Sequence, residues 1–196
     1  MSAQRIARTY GIRTVRSAYV KSAEAAKRFA GSSRIVLKAI PNVPAHKSGS
    51  GLVAVGVDAR GIEGAFMAIS SKAKKYGAYK MLAQEMISGT EIILGGKNDA
   101  QFGKMVLLGL GGIYVEVFKD FALRLCPLSK HDALDMIDQL RSCAAVAPDA
   151  KSKDRLADLI VKVSRMYSGT RINELDLNPV ILHDGTYDAV DLRMIE

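Results

Sequence analysis

Asn173-Glu174-Leu175-Asp176-Leu177-Asn178-Pro179-Val180-Ile181-Leu182, then His183-Asp184-Gly185-Thr186, then Tyr187-Asp188-Ala189-Val190-Asp191-Leu192, reads as two strands joined by a turn. Asp184-Gly185 is a strong hairpin signal, because both residue types tolerate a positive φ. Side chains on a strand alternate faces, so Asp176 and Asn178 point the same way. In an antiparallel return strand, Asp191 can lie close to Asn178. The hairpin then offers two carboxylates and an amide oxygen on one face, all hard oxygen ligands suited to magnesium. The same string also fits a polar, solvated hairpin face, and the hairpin alone leaves both readings open. Pro179 withdraws a donor from the ladder and favours an edge or a bulge at that point.

Working outward, 196 residues can hold one large domain or two small subdomains, each with a real core. Apolar residues make up 48% of the chain, yet Trp is absent and there are only seven Tyr and five Phe, so the core is built from Leu, Ile, Val, Ala and Met. The formal charge of +8 suggests an anionic partner: nucleic acid, a membrane surface or a phosphorylated small molecule. The basic residues are scattered, however. The densest group, Lys72-Ala73-Lys74-Lys75, closes a predicted helix, where cations complement the helix dipole. A stripe of cations with interleaved aromatics is not visible, which argues against nucleic acid as the partner. Cys126 and Cys143 have no metal or redox spacing and read as free, buried thiols in a reducing compartment. No run is long and apolar enough to span a bilayer, and the first residues lack the apolar core of a signal peptide. A cytoplasmic protein without a membrane partner is expected.

Along the chain, residues 1–10 read as a short basic helix ending at Gly11, and 12–20 as an extended segment. Ser22 is an N-cap with Glu24 in the first turn of a helix running to Gly31. Residues 34–40 are a buried strand whose one internal charge is Lys38. Residues 41–51, with Pro41, Pro44, Gly49 and Gly51, have no periodicity and form a loop. A strand follows over 52–57, then Asp58 and Gly61 turn the chain into a helix ending near Tyr76. A second block begins at Met81, with strands over 81–87, 91–94, 105–110, 113–118 and 121–125, then helices over about 129–147 and 152–168, then the hairpin. This order predicts an α+β protein of two small layers, residues 1–80 and 81–196, with a crevice between them that suits a nucleotide.

Several residues could carry chemistry. A lysine in an apolar strand either snorkels to an edge or meets an anion, and Lys38 fits both descriptions. Gln84-Glu85-Met86-Ile87-Ser88-Gly89-Thr90-Glu91 fits an ordinary hairpin with two solvated glutamates. It could equally offer backbone groups to a purine edge and a carboxylate to ribose hydroxyls. Gly109-Leu110-Gly111-Gly112 could let backbone approach a phosphate, though it is neither a Walker loop nor a dinucleotide fingerprint. His46 sits in the loop beside Lys47, either idle or as a neutral imidazole able to accept a phosphoryl group. His131 and His183 read as structural or solvated.

Taken together, these segments resemble one family. Val36-Leu37-Lys38, Ala45-His46-Lys47-Ser48, Gln84-Glu85-Met86 and Gly89-Thr90-Glu91 occur in order. Then come Gly95-Gly96-Lys97-Asn98-Asp99-Ala100-Gln101-Phe102-Gly103, Gly109-Leu110-Gly111-Gly112-Ile113-Tyr114-Val115-Glu116-Val117, Glu174-Leu175-Asp176-Leu177-Asn178-Pro179 and Ala189-Val190-Asp191-Leu192-Arg193. The pattern is similar to the ATP-grasp β subunit of the NDP-forming acyl-CoA synthetases, the ADP-forming acetate–CoA ligases related to succinyl-CoA synthetase, over nearly the whole chain. The resemblance implies an ATP-grasp fold, with two subdomains enclosing the nucleotide crevice and a swinging loop over 41–51. It implies ATP or ADP as substrate, Mg2+ as cofactor, and a CoA-binding α subunit in a hetero-oligomer. By the same resemblance Lys38 meets the nucleotide phosphates, Glu85 and Met86 form the adenine hinge, and Glu91 takes the ribose. Gly111 and Gly112 line the nucleotide, Asn178 and Asp191 hold magnesium, and Asp176 lies near the phosphohistidine site. His46 relays the phosphoryl group toward ADP. Gly49 stands where the family usually has an acid. A regulatory or assembly subunit that binds nucleotide without turnover is the alternative reading.

Overall fold

The computed structural model describes residues 3–42, 51–112 and 120–195. In chain order the elements are α1 (Ala3–Thr9), β1 (Ser17–Val20), α2 (Ala23–Ala30), β2 (Ile35–Pro41), β3 (Val53–Val57), α3 (Ile62–Ala73) with a 3-10 turn Lys74–Tyr76, and β4 (Tyr79–Glu85). They continue with β5 (Thr90–Asp99), β6 (Gly103–Leu110), β7 (Phe121–Leu125), α4 (Lys130–Gln139), α5 (Cys143–Val146), α6 (Ala150–Ser168), β8 (Glu174–His183), β9 (Thr186–Ala189) and β10 (Leu192–Ile195). Two compact units result: Val15–Ile87, and Met1–Thr14 together with Ser88–Glu196.

The Val15–Ile87 unit is an antiparallel sheet in the order β1-β4-β2-β3, with α2 and α3 on one face. Alternation turns Ile35, Leu37 and Ala39 of β2 and Met81 and Ala83 of β4 inward, where they join Ala26, Ala30, Ile62 and Ile69 of the helices. Ser22 caps α2 as expected, its hydroxyl accepting from the Ala25 amide at 3.2 Å. Asp58 makes the expected turn into α3 by accepting from the amides of Arg60 and Gly61.

The other unit has a six-stranded antiparallel sheet ordered β10-β8-β5-β6-β7, with β9 also on β8. Ile92, Leu94, Val106, Leu108, Leu175 and Leu177 form its inner face and pack in one core with Met136 and Ile137 of α4 and Leu156, Ile160, Val163 and Tyr167 of α6. Ser129 and Asp132 close a reciprocal capping box on α4, and Asp149 caps α6 by accepting from the Ser152 amide at 2.7 Å. At Gly96 α6 lies close against the sheet: a Cβ there would stand 2.9 Å from Tyr167 Cε1 and 3.2 Å from Leu175 Cβ. The Tyr167 hydroxyl donates to the Asn173 carbonyl at 2.6 Å. Lys104 donates to the Tyr167 carbonyl at 2.7 Å while its ammonium stands 4.7 Å from the ring centroid.

Several expectations change. The boundary expected after residue 80 falls inside β4, which pairs with β1 and β2 and so belongs wholly to the first unit. The helix at residues 1–10 packs instead with α6 and β10 of the other unit. The segment from Glu85 to Glu91 is not a hairpin, because β4 and β5 lie in different sheets. The helix expected over 129–147 is broken where Leu140 turns extended, leaving α4 and the single turn α5. Pro179 sits on an interior strand, so of the two options offered by its missing donor the structure takes the irregularity: β5 and β8 shift register between Ile92 and Leu94. Both cysteines are free but half-buried rather than buried, and burial pushes the Cys126 thiol upward. The strand expected over 113–118 and the loop residues 43–50 lie outside the described residues.

Two outcomes follow from this packing. Gly96→Ala forces a methyl into the Tyr167 ring and should lower unfolding free energy by about 1–3 kcal/mol with an unchanged urea m-value. An unaltered urea midpoint would show that the ring has room to yield. Asp120 accepts from the amides of Arg141 at 3.0 Å and Ser142 at 2.8 Å. Burial opposes its ionisation, but the Ser142 and Arg141 hydrogen bonds prevail and hold its carboxyl below the usual range. Because the folded pKa is lowered, the stabilisation is present above the unfolded pKa of about 3.9 and disappears as pH falls through the folded value. Asp120→Asn should therefore cost about 1 kcal/mol at pH 7 and progressively less below pH 4. Urea melts at a series of pH values check this, and a gap that stays constant down to pH 2.5 would exclude the carboxylate as its source.

Candidate functional site

The face of the six-stranded sheet opposite α4 and α6 is built by alternation alone. Where Leu175 and Leu177 turn inward, Glu174, Asp176 and Asn178 turn outward, and all three are exposed. The register carries the pattern across the sheet: Arg193 of β10 lies opposite Asp176, Asp176 opposite Gly95 of β5, Gly95 opposite Leu107 of β6, and Leu107 opposite Leu123 of β7. A second row runs Ile195, Glu174, Lys97, Met105, Leu125. A third runs Ile93, Gly109, Phe121. One half of the face is charged and the other apolar. Phe121, Leu123 and Leu125 are 53%, 43% and 54% exposed, so none of the helices of this unit covers them.

Asn178 lies at the register shift, where the paired residues of β8 jump from Leu177 to Val180. Its amide donates to the Asp191 carbonyl at 3.2 Å, and Val190 donates to the Pro179 carbonyl at 2.9 Å. The return strand thus brings Asp191 beside Asn178, as the hairpin reading expected. One Asp191 carboxylate oxygen accepts from the Leu192 amide at 3.1 Å. Among the described residues no cluster of three or more His, Cys, Asp or Glu forms a self-sufficient metal cage. An amide oxygen and one or two carboxylates are nonetheless the donor set magnesium takes when substrate phosphates complete its shell. The residues present fit that ion.

Glu91, second in β5, lies on the same outward side, and its carbonyl accepts from the Gly111 amide at 2.7 Å. A Cβ at Gly111 would lie 2.8 Å from the Glu91 carbonyl carbon, and one at Gly112, where φ is +75°, would lie 3.3 Å from Glu91 Oε2. Gly111 is therefore required by its backbone contact with Glu91, and Gly112 by its positive φ, reasons that their turn-like string does not reveal. Asp99 accepts from the Gln101 and Phe102 amides at 2.9 and 3.0 Å, and these bonds hold its carboxyl low. That part of the Asn98-to-Gly103 string is hairpin-turn chemistry.

In the Val15–Ile87 unit, Lys38 is half-buried on β2 with Val53 and Leu82 opposite, on the face away from Leu37 and Ala39. Glu85 ends β4 opposite Ile35, its amide donating to the Arg16 carbonyl at 2.8 Å. Three positions separate it from Leu82, so its side chain takes the other face from Lys38. Met86 passes over β3 at Gly56, where a Cβ would stand 3.7 Å from its Sδ. His46 lies outside the described residues. His131 is solvent-facing, 3.8 Å from Asp135, and His183 bonds Asp188 at 2.7 Å, so both are placed as the sequence suggested.

Two residues on the outer face escaped the sequence reading. Arg193 stands directly opposite Asp176, and Lys97 opposite Glu174. Arg193 is two positions beyond Asp191, so the period of a strand was the signal that could have found it.

The family described as the ATP-grasp domain matches residues 1–195. The β subunit of ADP-forming acetate–CoA ligase I from Pyrococcus furiosus is 34% identical over 207 residues, covering 98% of this chain and 89% of that subunit. ADP-forming acetate–CoA ligase I from Archaeoglobus fulgidus is 33% identical over 95% of this chain, which spans 29% of that longer enzyme. The structure of acetyl-coenzyme A synthetase 1 from Ca. Korarchaeum cryptofilum with coenzyme A and Ca-AMPCP superposes with a TM-score of 0.88 at 30% identity, covering 98% of this chain and 90% of that one. A further structure of that enzyme, holding coenzyme A and Mg-AMPPCP with its phosphohistidine segment pointing towards the nucleotide site, gives 0.82 at 29% identity, covering 98% and 89%. With the match running through both α+β units and their antiparallel sheets, the chain belongs to the ATP-grasp domain family.

Proposed function

We propose that this chain is the nucleotide-binding part of an ADP-forming acyl-CoA synthetase acting in the cytoplasm: acyl-CoA + ADP + phosphate ⇌ carboxylate + CoA + ATP. The observation that carries the reading is the row Arg193, Asp176, Gly95 on the outer sheet face, with Asn178 and Asp191 beside it, in a chain that matches a β subunit of such a ligase almost end to end. A CoA-binding α subunit is the proposed partner, since the fused relative extends far beyond the length of this chain. The acyl pocket belongs to that partner.

The division of the outer face suits a nucleotide. The apolar half, with Ile93, Leu107 and Leu123, gives a flat surface for a purine ring, and the charged half takes the phosphates. Glu91 accepts from ribose hydroxyls, with Gly111 and Gly112 leaving the backbone bare beside it. Lys38 offsets phosphate charge, and Glu85 with Met86 offers hinge backbone to the adenine edge. Asn178 and Asp191 would hold magnesium, whose charge neutralises that building up on the transferred phosphoryl group. Asp176 and Arg193 orient the phosphohistidine. His46 accepts the phosphoryl group on a neutral imidazole nitrogen, forming the P–N bond as the bond to the first carrier breaks, and then passes it to the terminal oxygen of ADP.

Reconstitution with the α subunit, read as acyl-CoA-dependent ATP formation, tests the whole reading. Asp191→Asn keeps the shape of the side chain and removes its charge. Nucleotide affinity in Mg2+ should fall about tenfold or more, roughly 1.4 kcal/mol, while affinity in EDTA stays level. Calorimetry giving equal losses in both buffers would assign Asp191 to the fold instead. His46→Ala should abolish ATP synthesis in the reconstituted complex yet leave nucleotide binding within about threefold, below ~1 kcal/mol. Full turnover in that variant would eliminate the relay and favour a subunit that binds nucleotide without chemistry.

A further inference from the structure

On the helix side of the six-stranded sheet, away from the outer face, a cavity of about 270 Å³ lies between α6, the β8–β9 hairpin and the segment after α1. Gly11, Arg13, Arg155, Asp158, Lys162 and Thr186 line it, with Leu159 and Tyr187 at its apolar side. Its charges are unbalanced. Asp158 is already held by Lys130 at 3.0 Å. Arg13 is spanned by Asp188, with Nε to Oδ1 at 2.8 Å and Nη2 to Oδ2 at 3.1 Å, and its Nη1 has no hydrogen bond among the described residues. Arg155 donates to the Gly185 carbonyl, a neutral acceptor. Lys162 has no ionic partner among the described residues and is drawn over Gly11, where a Cβ would stand 3.8 Å from its Nζ. The Tyr187 hydroxyl is spent on the Val146 carbonyl at 2.5 Å, so the Thr186 hydroxyl is the neutral donor left.

We propose that this cavity binds a phosphate-type dianion, either inorganic phosphate or the terminal phosphate of a small metabolite. Among the described residues Arg155 and Lys162 make no salt bridge, and with Arg13 they set three solvent-facing cations around one small space that holds a single lining carboxylate, Asp158, a surplus that an anion offsets. With the Thr186 hydroxyl the donors approach from a helix, a hairpin and a loop, a spread that matches a tetrahedral anion better than a planar carboxylate. The volume lies below the roughly 300–1,000 Å³ of drug-sized pockets, which excludes a whole nucleotide. Pairing places this site apart from Asp176 and Asn178, but not out of touch with them. The Arg13 carbonyl accepts from Ala189 at 3.0 Å, on the strand that leads two residues on to Asp191. A bound anion therefore steadies the return strand of the hairpin, independently of the proposed ligase reading.

The test uses the full chain, thermal unfolding and sodium phosphate against sodium chloride at equal ionic strength, with glycerol 3-phosphate and acetate in parallel. Phosphate should raise the melting temperature saturably and acetate should not. A tighter response to glycerol 3-phosphate identifies a metabolite, and a tighter response to phosphate identifies the inorganic ion. Lys162→Gln should weaken the apparent affinity about tenfold, Lys162→Arg should restore it, and both should keep magnesium-dependent nucleotide binding. Asp191→Asn should leave the phosphate response unchanged. The proposal is overturned if phosphate behaves like chloride, or if the response survives in Lys162→Gln and vanishes in Asp191→Asn, which would put the anion on the outer face.

Discussion

Helix α6 seated on the inner face of the six-stranded sheet is the contact on which the larger unit rests. Tyr167 has no accessible surface, and its ring lies where any side chain at Gly96 would be. Its phenol is pushed up to about 12 by burial, so it stays neutral and keeps donating to the Asn173 carbonyl just before β8. Lys104 ties the end of α6 to β6 through the Tyr167 and Thr170 carbonyls. The inner face must therefore be apolar along β8, and alternation sends every second residue the other way. Asp176 and Asn178 stand outside because Leu175 and Leu177 are needed inside.

The irregularity at Asn178–Pro179 adjusts that simple picture. A strand in perfect register would continue the ladder through this point and leave Asp191 only at its margin. The shift frees Asn178 to pair by its amide with the Asp191 carbonyl, and the Pro179 carbonyl takes Val190. The two oxygen-bearing side chains are thus set by backbone bonds rather than by a side-chain ladder.

Part of the excess of 28 basic over 20 acidic residues gathers only in the folded chain. Arg155 and Lys162 lie two turns apart on α6 and Arg13 comes from the distant segment after α1, which is why no run of the chain looks like an anion site. Arg193 and Lys97 likewise come from different strands and meet Asp176 and Glu174 only through pairing. Exposed ion pairs such as Lys27–Glu63 at 3.1 Å contribute at most about 1 kcal/mol, so the distribution of cations here matters for ligands more than for stability.

Local rules were legible in the residues themselves. Ser22 before an amphipathic run, Asp58 before α3, and Asp184-Gly185 between two alternating strings each act through a side-chain oxygen or a permitted φ within a few residues. The same holds for the common face of Asp176 and Asn178, because the period of a strand is a property of the chain. By itself, then, the sequence determined most of the strands and helices, the Ser22 cap and the Asp58 turn, and which side chains travel together on one strand. Only the tertiary structure decided that β4 joins β1 and β2 instead of β5, that Gly111 closes on Glu91, that Arg193 faces Asp176, and that Arg13 shares one cavity with Arg155 and Lys162 of α6. Those pairings minimise exposed apolar surface and unpaired backbone over the whole molecule, and such a sum over distant partners leaves no mark at any one position.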